Sequence, residues 1–121
     1  MKDIDNNVIV QKSFAFAIRC VNLCKYLREE KKEYEMSKQL IRSGTSIGAN
    51  VKEALRAQSK ADFKSKLNIS LKEASETEYW IELLWRTQYI NETAAKSILA
   101  DCVELIKPVS YTHLTLPTTP Y

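Results

Sequence analysis

Residues 1–107 contain no proline, and the only two glycines of the chain, Gly44 and Gly48, lie one helical turn apart inside them. An ordinary chain is about 12% Gly plus Pro. Sheets and α/β layers need turn residues at nearly every corner, and here there is nothing to make the corners. The chain is therefore expected to be all-α, with a few long helices and short links. Its 121 residues allow one domain. A core of that size is modest, so self-association is expected. No run of about 18 apolar residues is present, so no membrane span is expected. The polar start MKDIDNN has no signal-peptide core, which points to a cytoplasmic protein. Cys20, Cys24 and Cys102 are odd in number and lack zinc-type spacing. They read as small buried hydrophobes in a reducing compartment.

The text changes at Pro108. The segment 108–121, PVSYTHLTLPTTPY, holds all three prolines, the only histidine (His113) and no Lys, Arg, Asp or Glu. It interrupts the helical stripe Ile98, Leu99, Cys102, Val103, Leu105 and Ile106. The string VSYTHLTLPT resembles the translation of a transposon-end sequencing adapter. The domain is therefore read as 1–107, with 108–121 a non-native, adapter-derived tail outside the fold.

Four helices follow from the periodicity of about 3.6 residues. The first spans about Val8 to Glu30, with one stripe of Val10, Phe14, Ala17, Ile18, Val21 and Cys24 beside a second of Phe16, Cys20, Leu23 and Leu27. So wide an apolar face is expected to be buried against more than one neighbour. The run Arg28–Glu33 reads as a solvated connection. The second helix runs from Tyr34 or Ser37 to Ala57, with Leu40, Ile41, Ile47, Val51, Ala54 and Leu55 on its apolar side. Two mid-helix glycines cost about 1 kcal/mol each relative to Ala. Because the apolar period continues through them, they are expected to form a flat strip where another helix comes close. Ser59 and Asp62 resemble a capping box for the third helix, whose stripe is Phe63, Leu67, Ser70/Leu71, Ala74, Thr77/Glu78, Ile81 and Leu84/Trp85. It ends near Thr87. Asn91 caps a fourth helix that runs to Lys107. Short links make this an antiparallel up-down-up-down four-helix bundle.

The central text carries a pattern: Gln39-Leu40, Arg42-Ser43, Ile47, Asn50 and Glu53, then Arg56, Ser59, Phe63, Ser70 and Glu73. In order and spacing it resembles the bundle family encoded in intervening sequences of bacterial 23S rRNA genes, the S23 family. The resemblance covers roughly residues 10–107; Ala54 stands where many members carry Gly. It implies a four-helix bundle, a homo-oligomer such as the pentameric ring of some relatives, and no enzyme activity. It also implies likeness to accessory variability proteins of diversity-generating retroelements, which bind nucleic acid and a reverse transcriptase.

Charge is unevenly spread. Residues 25–66 carry eleven basic and six acidic groups, net +5, whereas 67–107 carry four basic and seven acidic, net −3. Lys52, Arg56, Lys60 and Lys64 recur every four residues around the corner between the second and third helices. With Arg42 they are the candidate nucleic-acid-binding residues, touching phosphates of RNA or DNA without reading sequence. A ring would repeat the patch once per subunit. The alternative is a scaffold that docks a protein partner such as a reverse transcriptase, its charge serving only solubility. Arg42, Ser46, Asn50 and Glu53 also form one polar stripe, expected to satisfy one another and fix register if buried. Glu73, Glu76, Glu78 and Glu82 crowd the third helix, but di-iron bundles need Glu-x-x-His, and 1–107 contain no histidine. No catalytic residue, metal ligand or cofactor is assigned. Trp80, Trp85, Tyr79 and Tyr89 are expected to anchor the core, with base stacking as the other use of such a cluster.

Overall fold

The computed structural model describes the backbone of residues 6–115 and the side chains of 8–109. Four helices account for nearly all of it: α1 (Asn6–Glu29), α2 (Glu35–Leu55), α3 (Lys60–Arg86) and α4 (Glu92–Thr115). Each packs on its neighbours in sequence, α1 closes the square against α4, and among the described residues no diagonal pair of helices brings its backbones as close. The α2–α3 register is antiparallel: Thr77 bonds Ser43, Ser70 bonds the Ile47 carbonyl, and Lys66 pairs with Glu53. This is the up-down-up-down bundle that the periodicity predicts.

The helix ends are set by local hydrogen bonding. Ser59 caps α3 by accepting from the Asp62 N–H at 3.1 Å, and the Asn91 side chain caps α4 by accepting from the Ala94 N–H at 2.8 Å. Lys32 (φ 54°) and Gln88 (φ 70°) take the left-handed conformation after α1 and α3 that glycine usually supplies. At α3 the Tyr89 N–H reaches the Leu84 carbonyl and the Gln88 N–H the Trp85 carbonyl, closing the helix without glycine.

Glu33 departs from the expectation of a solvated link. Only 7% exposed, its carboxylate accepts from the backbone N–H groups of Glu35, Met36 and Ser37 at 2.8–3.0 Å. Those groups have no partner within α2, and a carboxylate there also suits the helix dipole. Ser37 returns a bond from its hydroxyl to the Glu33 carbonyl.

Both glycines are helical and lie where α1 comes closest to α2. A Cβ on Gly44 would overlap Cys20 Sγ and lie 3.0 Å from Cys20 Cβ, while one on Gly48 would meet Ser13 Oγ at 3.0 Å. The flat strip expected from their spacing is therefore the α1–α2 contact. The wide apolar face expected of α1 is only half buried. Ile9, Phe16, Cys20, Cys24 and Leu27 enter the core, but Phe14 stays 68% and Ile18 48% exposed. A helix with two lateral neighbours buries one stripe, and the second runs along the outside.

On α3, Phe63, Leu67, Ser70, Ala74, Thr77, Ile81 and Leu84 are buried in alternating steps of four and three, as its stripe predicts. In α4, Ala95, Ile98, Cys102, Leu105 and Val109 continue one buried row. The helix therefore passes Pro108 and extends to Thr115, beyond the expected end at Lys107. Pro108 lies on the exposed side of the helix. Residues 116–121 of the segment read as a tail lie outside the described part.

Candidate nucleic-acid interface

Four of the five candidate cations share one end of the bundle. Lys52 is in the last turn of α2, Arg56 is its C-cap, and Lys60 opens α3. Since only 56–59 separate the two helices, Lys52 and Arg56 come beside Lys60 and Lys64. Lys52, Arg56 and Lys60 are exposed and Lys64 half-buried. None of the four makes an ion pair among the described residues, whereas Arg19, Arg42, Lys66, Arg86 and Lys96 do. Other surface cations such as Lys25, Lys38 and Lys72 are unpaired there too, so the corner differs in gathering four of them in one place. The nearby Glu53 is taken by Lys66 at 3.0 Å, a pairing that raises the Lys66 pKa.

Arg42 lies apart. It is fourteen positions before Arg56, about 20 Å along α2 at 1.5 Å per residue. Its guanidinium pairs with Glu73 at 3.3 Å and with Glu76, and Glu76 also accepts from the Trp80 indole at 3.1 Å. The hydrogen bonds from Arg42 and Trp80 hold the Glu76 carboxyl below the usual carboxylate range, and the Arg42 pKa is raised in turn.

The polar stripe does not form the expected mutual network. Ser46 donates to the Arg42 carbonyl at 2.7 Å and Asn50 to the Ser46 carbonyl at 2.8 Å, both within α2. Arg42 and Glu53 cross to α3 instead. The stripe is exposed or half-buried, so its groups are satisfied by their own helix and by solvent. Register is marked one position over, by buried Ser43 and Thr77, whose hydroxyls bond at 2.9 Å, and by Ser70 on the Ile47 carbonyl at 3.0 Å. Their signal was in the sequence: all three fall on the apolar period of α2 or α3.

The remaining chemical groups are accounted for in similar terms. Burial pushes the Cys20 and Cys102 thiols up to about 12 and Cys24 to about 11, which keeps them protonated and poorly nucleophilic. Among the described residues no His, Cys, Asp and Glu group has the makings of a metal site. Of the α3 carboxylates, Glu73 and Glu76 hold Arg42 and Glu82 holds Arg86 at 3.7 Å. Glu78 has no such partner among the described residues, and burial raises its pKa. The aromatic cluster is split. Tyr79 and Trp80 pack edge to face at 5.1 Å, while Trp85 and Tyr89 turn toward Tyr26 at the end of α1. A second surface lies along α1 and α2, where Phe14, Ala17 and Ile18 face Gly48, Ala49 and Lys52 across an apolar groove of about 530 Å³. No helix of the described residues is long and apolar enough to cross a membrane.

Comparison with known proteins is consistent with this architecture. A protein from Bacteroides thetaiotaomicron, described as of unknown function and from the S23 ribosomal protein family, has a crystal structure similar to this one. The two are 55% identical, the match covers 92% of this chain and 99% of that one, and the TM-score is 0.89. No curated protein matches. The family model for the 23S rRNA-intervening sequence protein matches residues 5–110, and the chain belongs to that family.

Proposed function

We propose that this chain is a non-enzymatic, homo-oligomeric protein that binds the sugar-phosphate backbone of RNA or DNA through Lys52, Arg56, Lys60 and Lys64. The observation that carries this reading is that these four cations, none with a carboxylate partner among the described residues, gather at the one end of the bundle where α2 meets α3. Local structure explains only part of the pattern. Lys52 and Arg56 suit the negative end of the α2 dipole, but Lys60 sits at the positive end of α3, where a cation is unfavourable. Arg42, matched by two carboxylates, is left out of the proposed surface. Self-association is supported by exposed Phe14 and Ile18 beside the α1–α2 groove. Lys52 borders both surfaces, so assembly through the groove would bring the cations of neighbouring subunits together, and the ring suggested by family resemblance would multiply them.

Labelled RNA and DNA titrated across a salt series test the first claim. Four phosphate contacts give a slope of log K against log salt of about −3 to −4, and K52E/R56E/K60E should abolish binding. A salt-independent affinity, or binding that survives this triple reversal, rejects the surface. Light scattering tests the second claim: an oligomer is expected for the unaltered chain and a monomer for F14E/I18E.

A further inference from the structure

The end of the bundle opposite the basic corner carries an open cleft of about 550 Å³, within the range of about 300–1,000 Å³ usual for small-molecule sites. Tyr26 from α1, Lys31 just beyond it, Trp85 and Arg86 from the last turn of α3, and Gln88 and Asn91 from the next link line it. The Arg86 guanidinium lies over the Trp85 ring, 4.1 Å from its centre, and the Lys31 ammonium is 6.0 Å from the centre of the Tyr26 ring. Tyr26 is 42% exposed, so the core does not account for it. The carboxylate in the lining, Glu92, is engaged by Lys96 at 2.6 Å, and Lys31 has no ion pair among the described residues. Asn91 uses its side-chain oxygen to cap α4, which leaves its amide N–H donors available. Gln88 presents an exposed amide from a left-handed backbone.

Exposed π-faces, a stacked guanidinium, a free ammonium and amide groups are what a nucleotide requires. A base stacks on tyrosine or on the outer face of an arginine, its phosphate pairs with Lys31, since Arg86 already has Glu82 at 3.7 Å from its Nε, and its edge meets amides. We infer that this cleft binds a nucleotide, either free or as an unpaired residue of a single strand, with the base stacked beside Tyr26 and Arg86. The site is about 40 Å from the basic corner along α3 and stands whether or not that corner binds nucleic acid.

The test is titration of the full chain with AMP, adenosine and single-stranded octaadenylate, read by tryptophan fluorescence. AMP is expected to quench the emission saturably, and adenosine, lacking the phosphate, to bind roughly tenfold more weakly. Y26A and R86A should each weaken AMP roughly tenfold or more while leaving the circular dichroism unchanged. Octaadenylate binding at least about tenfold tighter than AMP assigns the cleft to a strand, and equal affinity assigns it to free nucleotide. No saturable response to AMP or octaadenylate up to about 5 mM, an affinity too weak to matter, overturns the inference. So does a response that both Y26A and R86A leave intact.

Discussion

Substituting Gly44 by alanine sets two effects of known sign against each other. In a helix interior alanine is favoured over glycine by about 1 kcal/mol, so on propensity alone G44A stabilises. The structure opposes this. The new methyl would overlap Cys20 Sγ and lie 3.0 Å from Cys20 Cβ, with Thr77 Cγ2 at 3.9 Å behind it. Cys20 is fully buried, so its sulfur has no solvent side to rotate into, and relief requires α1 and α2 to separate along their contact. Overpacking of this kind costs about 1–3 kcal/mol, and an overlap this deep belongs at or above the top of that range. The net expectation is a loss of about 2 kcal/mol or more, equivalent to a fall in Tm of about 8 °C or more. At Gly48 the neighbour is Ser13, whose Oγ and Cβ would lie 3.0 and 3.1 Å away, so G48A should cost less. C20A/G44A supplies the control: removing the sulfur frees the volume that the new methyl needs, so the double mutant should be more stable than the two single effects predict, by about 1 kcal/mol or more. Urea unfolding at fixed protein concentration measures all four variants. If G44A is as stable as the unaltered chain, or more so, the close α1–α2 approach is wrong.

Other consequences follow from side chains already placed. E33A removes the acceptor of three backbone N–H groups at the start of α2 and should cost about 2 kcal/mol in urea unfolding; a change under about 0.5 kcal/mol would show that water caps the helix equally well. Glu78 has its pKa raised by burial, so the folded chain holds that proton more tightly than the unfolded one. Its contribution is complete below the unfolded carboxylate pKa of about 4.3 and is lost as pH rises through the folded value. E78Q should therefore raise Tm at pH 7 and flatten the dependence of Tm on pH over that window, as thermal scans from pH 4 upward would reveal. With thiols pushed up to about 11 or 12 and buried between helices, the three cysteines should react with an aromatic disulfide reagent only after denaturation. Rapid labelling of the native chain would contradict that burial.

Periodicity made most of the fold legible because burial in a bundle is a property of one helix at a time. The α3 stripe reads directly as Phe63 to Leu84, and the apolar period carried Gly44 and Gly48 through a stretch that propensity alone would break. Glu33 escaped for a physical reason. In a run of six charged residues every carboxylate looks alike, and only the path of the chain decides which one meets the open N–H groups of the next helix. Phe14 and Ile18 escaped because an apolar stripe states that a surface avoids water without stating whether the same chain covers it. Helix α4 shows the reverse: proline is a strong stop signal in sequence because it lacks an N–H and crowds the carbonyl four residues back, but the buried row through Leu105 and Val109 keeps its period across Pro108.

The charge pattern needed the register. Counted by segment, residues 25–66 hold an excess of cations, but Arg42 and Lys66 are matched across the α2–α3 contact by Glu73, Glu76 and Glu53. Antiparallel packing places the glutamates of the second half of α3 beside the first half of α2, which is why Arg42 is neutralised. The last turn of α2 meets the first turns of α3, where Lys60, Lys64 and Lys66 face a single acid, Asp62. Four cations with no ion pair among the described residues are therefore brought together at the corner. The same register that pairs Arg42 leaves Lys52, Arg56, Lys60 and Lys64 without an ion pair among the described residues, so a polyanion docking there would break no ion pair of theirs.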